Sequence, residues 1–251
     1  GGNHNLNMML CNGGTMYVDA GKPVPGLIEQ TVTNLKEISP TIYYNVPRGY
    51  DMLLPYLEKD KELRNTFFSD MDILFYAAAA LTQNSWERLE TQSAIALGKR
   101  VMMVAGWGAT ETAPDCTQVY WPIQTAGVIG LPIPGTELKL VPNEEKMEIR
   151  VRGPNVTPGY WKRDDLTEIA FDDDGFYRIG DAAKFADNND AKKGIVFDGR
   201  VSENFKLSSG TWVFVGDLRT KVVSAAANII QDAAIAGHDQ EVLGLLIFPN
   251  V

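Results

Sequence analysis

Histidine and cysteine are scarce in this sequence, with two of each among 251 residues. Cys11 and Cys116 stand far apart, as do His4 and His238, so neither zinc-ligand spacing nor a disulfide framework is present. The two cysteines read as free thiols of a reducing compartment. No apolar run approaches the roughly 20 residues needed to span a bilayer. The first residues, Gly1-Gly2-Asn3-His4-Asn5, have neither the basic start nor the apolar stretch of a signal peptide. A soluble, cytoplasmic protein is expected, with no membrane partner. Cations are in deficit too: 23 Lys and Arg against 32 Asp and Glu give a net charge of −9. That balance argues against a nucleic-acid partner, because no excess of cations is available to displace phosphate counterions. A small anionic ligand remains possible, held by backbone amides and a bound metal ion.

What is present suits a sizeable core, since 45% of the residues are hydrophobic. Leu27, Ile28, Val32, Leu35 and Ile38 recur at helical spacing between Pro25 and Pro40, which predicts a helix over 26–38. Residues 42–46, 72–76 and 101–105 have strand composition, and a helix is expected from about Ser85 to Leu97. Strand, helix, strand in that order implies a parallel βαβ unit. From Gly127 the texture changes. Segments 137–141 and 147–151 flank the turn-like Pro142-Asn143-Glu144-Glu145, a hairpin signal, and aspartate-rich turns follow at 172–175 and 187–190. A helix from about Gly216 to Ile229 and a strand at 243–248 close the chain.

Three segments carry chemistry. Residues 104–112, Val-Ala-Gly-Trp-Gly-Ala-Thr-Glu-Thr, follow a buried-strand pattern and set an aromatic ring, a hydroxyl and a carboxylate at the strand's carboxyl end, where open α/β sheets hold ligands. There Trp107 suits stacking on a purine, Thr110 a phosphate oxygen, and Glu111 Mg²⁺. The same residues also fit an ordinary strand-to-loop turn. They do not fit a dinucleotide fingerprint, because Glu111 stands where the third glycine belongs. Residues 176–181 end in Gly180-Asp181, either a plain turn or a carboxylate that accepts both hydroxyls of a ribose. Residues 199–210 combine Arg200, a polar stretch, Lys206 and Gly210, either a surface hairpin or a hinge with a nucleotide-contacting arginine.

Taken in order, these motifs resemble the adenylate-forming acyl- and aryl-CoA synthetases. The signatures are Gly106-Trp107-Gly108-Ala109-Thr110-Glu111, then Glu148 through Trp161, then Tyr177-Arg178-Ile179-Gly180-Asp181, then Gly199-Arg200 through Lys206 and Gly210. Gly1 through Asn5, with Asn12-Gly13-Gly14-Thr15 and Gly21-Lys22-Pro23, look most like the feruloyl-CoA synthetase branch, implying a hydroxycinnamate as the acid. The resemblance implies an α/β fold: part of the large domain of such enzymes over residues 1–200, with a βαβ sheet plus a β-rich region. The start of a small α/β C-terminal domain then follows over 203–251, with the hinge at Ser202.

It also implies the activity. A carboxylic acid, here an aromatic one, is activated with MgATP to an acyl-adenylate and transferred to coenzyme A. By position, Ala77, Ala78 and Ala79 border the adenine and Trp107 covers it, with Gly108 beside them. Thr110 contacts the α-phosphate, Glu111 binds Mg²⁺, Asp181 and Arg200 hold the ribose, and Lys206 serves the second step. No protein nucleophile is required, so the lack of a Ser-His-Asp pattern is consistent with this chemistry.

There are departures. The alanines at 77–80 stand where Gly-Ala-Pro is usual, and Ser202 stands where Asp or Lys is commoner. The family's phosphate loop, expected upstream of Gly1, and its late lysine, expected beyond Val251, are not in this sequence. The chain alone is therefore expected to be an inactive internal fragment. Alternatives are an adenylation domain that serves a carrier protein, or a non-catalytic nucleotide-binding module.

Overall fold

A computed structural model of the chain describes residues 2–226 and 229–249. It divides into two compact units, 1–126 and 127–251. The boundary coincides with the change of sequence texture at Gly127, and the expected hinge at Ser202 lies inside the second unit.

The first unit begins with helix α1 (Gly2–Asn12) and α2 (Ile28–Glu37). Strand β1 (Ile42–Asn45) follows, then helices α3 (Pro47–Lys59) and α4 (Lys61–Ser69). Strand β2 (Ile73–Tyr76), helix α5 (Gln83–Leu97) and strand β3 (Met102–Trp107) form the expected parallel βαβ unit, and the short β4 (Thr117–Gln118) returns antiparallel to β3. The sheet order is β1-β2-β3-β4, with Ile42 opposite Ile73 and Ile73 opposite Met102.

Local chemistry explains the boundaries of α5. The Thr82 side chain accepts from Ser85 N at 3.1 Å, satisfying an orphan amide of the first turn, and Gly98 ends the helix with φ of 70°, a left-handed conformation that glycine adopts without strain. At α4, the Asp60 carboxylate accepts from the amides of Glu62 and Leu63, both at 3.0 Å. Helix α4 packs on α2, α3 and α5, and the interior holds Tyr50, Leu53, Leu54, Leu57, Leu63, Phe67, Phe68, Trp86 and Leu89, all within 1% of full burial. Each such leucine or phenylalanine contributes about 1.5–3 kcal/mol by leaving water. The Tyr50 hydroxyl donates to the Phe75 carbonyl at 2.8 Å and lies 3.0 Å from that of Tyr43, tying the helical layer to β1 and β2.

The second unit is β-rich. Strands β5 (Val128–Pro132), β6 (Glu137–Asn143), β7 (Lys146–Arg152), β8 (Tyr177–Phe185) and β9 (Ile195–Arg200) are ordered β5-β9-β8-β7-β6 with antiparallel pairing, and helix α6 (Asp164–Ala170) lies between β7 and β8 in sequence. The β6–β7 hairpin pairs Asn143 with Lys146 around the expected turn. Beyond it come the two-residue strands β10 (Phe205–Lys206) and β11 (Trp212–Val213), helix α7 (Val215–Ala225), and the antiparallel pair β12 (Ile230–Ala236) and β13 (Gly244–Pro249).

Three findings differ from the sequence expectations. Helix α7 ends at Ala225, four residues before the expected Ile229, and positions 227 and 228 lie outside the described residues. Residues 230–236 form an unanticipated strand, held by pairing with β13. Helices α1, α3 and α4 were also unanticipated.

Candidate functional site

The candidate residues fall into two clusters, one in each unit. In the first, strands β2 and β3 run parallel, so the loops after Tyr76 and Trp107 leave the same edge of the sheet. Parallel sheets hold ligands at that carboxyl edge. Ala77, Ala78 and Ala79 form the first loop. Ala78 has φ of 73°, an uncommon left-handed conformation for a residue with a Cβ, and Ala78 and Ala79 are exposed. Trp107 closes β3 and is buried, with its carbonyl accepting from Cys116 N at 2.8 Å.

The loop after Trp107 is tightly determined. A Cβ on Gly108 would lie 2.0 Å from the Pro114 carbonyl oxygen, so no larger residue fits there without displacing backbone. Thr112, fully buried, pins the turn: its Oγ1 accepts from Ala109 N at 2.8 Å and lies 3.0 Å from the carbonyls of Ala109 and Pro114. With Thr112 turned inward, Thr110 is exposed and Glu111 half-buried. Sequence reasoning named Thr110 and Glu111 but passed over Thr112, whose role appears only once residues 113–115 fold back. It also passed over Asp115. Burial pushes the Asp115 carboxyl up to about 6, partly opposed by His4.

In the second unit Asp181 and Arg200 are cross-strand partners on β8 and β9, and Arg200 Nε lies 3.3 Å from Asp181 Oδ1. Arg200 Nη2 also donates to the Ile179 carbonyl at 3.3 Å. Gly180 and Gly199, with φ of 80° and 82°, precede the two residues and allow the backbone turn that aligns them. Lys146, almost fully buried, supports β9 from β7: its Nζ donates to the Asp198 carbonyl and sits 5.3 Å from the centre of the Phe214 ring. Nothing in the hairpin pattern singled out that lysine. Ser202 falls in a short 3₁₀ turn, Val201–Glu203, and its side chain lies outside the described residues. Lys206 is exposed, its Nζ 4.6 Å from the centre of the Trp212 ring.

Cys11 is exposed and Cys116 buried, and neither is in a disulfide. Among the described residues no helix is long and apolar enough to cross a membrane, and no group of three or more His, Cys, Asp or Glu is placed to hold a metal ion. A Mg²⁺ ion that shares phosphate oxygens needs only one or two protein carboxylates, so Glu111 on its pinned loop fits that requirement.

Comparison with known proteins places this geometry. The AMP-binding enzyme family profile matches residues 1–161. Among curated relatives, the probable acyl-activating enzyme 16, chloroplastic, of Arabidopsis thaliana is 31% identical over 159 residues, covering 58% of this chain and 22% of that protein. The long-chain-fatty-acid–[acyl-carrier-protein] ligase AEE15, chloroplastic, of the same plant is 29% identical over 164 residues, covering 60% and 22%. Among solved structures, the A domain of carboxylic acid reductase from Segniliparus rugosus, in complex with AMP and a co-purified carboxylic acid, superposes with a TM-score of 0.72 at 20% identity, covering 98% of this chain and 40% of that one. A malonyl-CoA ligase ternary product complex with methylmalonyl-CoA and AMP gives 0.57 at 30% identity, covering 88% and 47%. The chain thus spans about a fifth of the length of these curated relatives and under half of the solved chains. It has the α/β fold of part of an adenylate-forming enzyme. With the profile covering well over half of its residues, the chain belongs to the AMP-binding enzyme family.

Proposed function

We propose that the chain supplies the nucleotide- and acid-binding part of an ATP-dependent carboxylate ligase, which forms an acyl-adenylate and passes the acyl group to coenzyme A. The observation that carries this reading is the pinned loop after β3, which leaves Thr110 exposed and Glu111 half-buried at the same carboxyl edge of a parallel sheet from which the loop of Ala77–Ala79 departs. In it, Trp107 and the three alanines enclose the adenine, Gly108 lets the backbone approach, and Thr110 contacts the α-phosphate. Glu111 holds Mg²⁺, which would offset charge on the phosphates as the acid's carboxylate attacks. Asp181 and Arg200 hold the ribose, the Asp181 carboxylate accepting from its hydroxyls. The pinned hydrogen bonds matter because donors fixed before reaction need not reorganise as charge develops.

For the second step, Ser202 serves as the hinge of the small domain that begins at residue 203, and Lys206 is then brought to the acyl-adenylate. The acid is read as aromatic, a hydroxycinnamate, on the resemblance of residues 1–23. The relative named as an acyl-carrier-protein ligase favours a second reading in which a carrier protein replaces free coenzyme A. The test is ATP-dependent pyrophosphate release by the polypeptide that carries this chain, across aromatic, dicarboxylic and long-chain acids, followed by transfer to coenzyme A or to holo carrier protein. Release with at least one acid supports the reading, and release with none rejects it.

A further inference from the structure

A half-buried acid between α3 and α5 has no part in the chemistry described so far. Asp51, in the second turn of α3, accepts through Oδ1 from the hydroxyl of Ser85. Ser85 is buried in the first turn of α5, and its Oγ accepts in turn from Thr82 Oγ1 at 3.0 Å. Thr82 is also the cap of α5, its Oγ1 accepting from Ser85 N at 3.1 Å. A continuous run of hydrogen bonds therefore leads from Asp51 through Ser85 to Thr82. Burial raises the Asp51 carboxyl above its ordinary value, opposed by the Ser85 hydrogen bond and by the charges of Arg48 and Arg88. Packing gives no reason for an acid here, because Leu53, Leu54, Leu57, Trp86 and Leu89 already fill the interior. About one turn further along α5, Arg88 makes a separate two-point ion pair with Glu58 of α3, at 2.8 and 2.9 Å.

What this run holds is one end of the loop after β2. The upstream end of residues 77–80 is fixed by Tyr76, buried, paired with Ala105 on β3, and with its ring 6.1 Å from that of Trp86. The downstream end is fixed by the buried Leu81 and by Thr82. Between them Ala78 keeps its φ of 73°, a conformation that persists only where the surroundings dictate it. None of the four alanines has a polar side-chain atom, so the loop can tell one base from another only through the placement of its backbone amides and carbonyls. Whatever sets that backbone sets base recognition. We propose that Asp51 is a positioning residue for nucleotide-base selection: by holding Ser85 and Thr82 it fixes the downstream end of the loop against which the adenine lies. This rests on the adenylate reading of residues 77–79.

The test measures AMP and GMP affinities of the 251-residue chain by calorimetry, in wild type, Asp51→Ala, Ser85→Ala, their double variant and Asp51→Asn, with urea unfolding of each. Asp51→Ala and Ser85→Ala should each weaken AMP binding about 3- to 10-fold, the span of one hydrogen bond's net contribution, and narrow the preference for AMP over GMP by the same factor. The double variant should lose no more than either single one, because both cut the same run. Asp51→Asn keeps an acceptor for the Ser85 hydroxyl and should restore the preference. Glu58→Gln breaks the other tie between the same helices and should leave both affinities unchanged. In wild type, needing no variant to fold, AMP should slow hydrogen exchange in residues 77–81 and also in 83–85. Protection by AMP that stops at Leu81, unchanged AMP affinity in folded Asp51→Ala, or equal losses for AMP and GMP would overturn the proposal and leave the adenylate reading standing. Failure of the wild-type chain to bind AMP would overturn both.

Discussion

Replacing Asp115 with Asn should stabilise the protein at neutral pH, and the size of the gain follows from the surroundings of the carboxyl. Burial against Phe75 and Gly106 raises its pKa to about 6 from the ordinary 3.8, with His4 opposing the shift. The folded state therefore holds the proton more tightly than the unfolded chain does. Below pH 3.8 both states are protonated and the charge costs nothing. As pH rises through the interval to about 6, the unfolded chain loses its proton first, and native stability falls until both states are ionised. The full difference is worth about 2 kcal/mol, once solvent reaching a half-buried group is allowed for. Asparagine has a similar shape and no charge, so the variant escapes this loss. Urea unfolding of both proteins from pH 4 to pH 8 should show a stability difference near zero at the acid end and about 2 kcal/mol in favour of Asn above pH 7, a rise in Tm of about 4–8 °C. Carboxylates held low by ion pairs, such as Asp60 with Lys36 and Asp187 with Lys193, weaken both proteins equally in acid and cancel in the difference. A difference that is constant with pH, or an asparagine protein less stable at pH 8, would show that Asp115 is not a strained charge.

The proposed nucleotide roles give three further expectations. Asp181→Ala should weaken AMP binding about 10- to 100-fold, the effect of losing hydrogen bonds to a charged group, and an unchanged affinity by calorimetry would remove Asp181 from the ribose site. Glu111→Gln, in the polypeptide that carries this chain, should raise the Mg²⁺ concentration needed for half-maximal pyrophosphate release; wild-type metal dependence would sink that role. In the same polypeptide, Ser202→Pro fixes φ near −65° at the hinge, and with Lys206→Ala should slow thioester formation from preformed acyl-adenylate far more than adenylation. Single-turnover kinetics on each step checks this, and equal slowing of both steps rejects the hinge.

The parallel unit of β2, α5 and β3 was legible because its signals are local: Thr82 caps, Gly98 terminates, and the strands are short apolar runs. Helix α3 carries a local signal that the sequence analysis did not use, Tyr50, Leu53, Leu54 and Leu57 forming one face at helical spacing, with Pro47 in the first turn, where its missing N–H costs nothing. Helix α1 was not legible, since Asn3, Asn5 and Asn7 interrupt any apolar stripe. Strand β12, with Ala233, Ala234 and Ala236, has a helix former's composition and is a strand only through its ladder with β13. In the site, Trp107 to Glu111 stood out because glycines and a carboxylate follow a strand directly. Thr112 and Asp115 did not, because each acts on backbone that residues 113–115 bring back over Gly106 and Gly108. Lys146 was hidden in the same way, its partner Asp198 being distant in sequence.

The central claim, that the carboxyl edge of β2 and β3 holds the adenine, is tested most directly by photolabelling the chain with 8-azido-AMP and mapping the modified peptides. The account predicts label within residues 74–81 or 104–112, suppressed by excess AMP and reduced in Asp181→Ala. Label elsewhere, or label in those peptides that excess AMP does not displace, would contradict it.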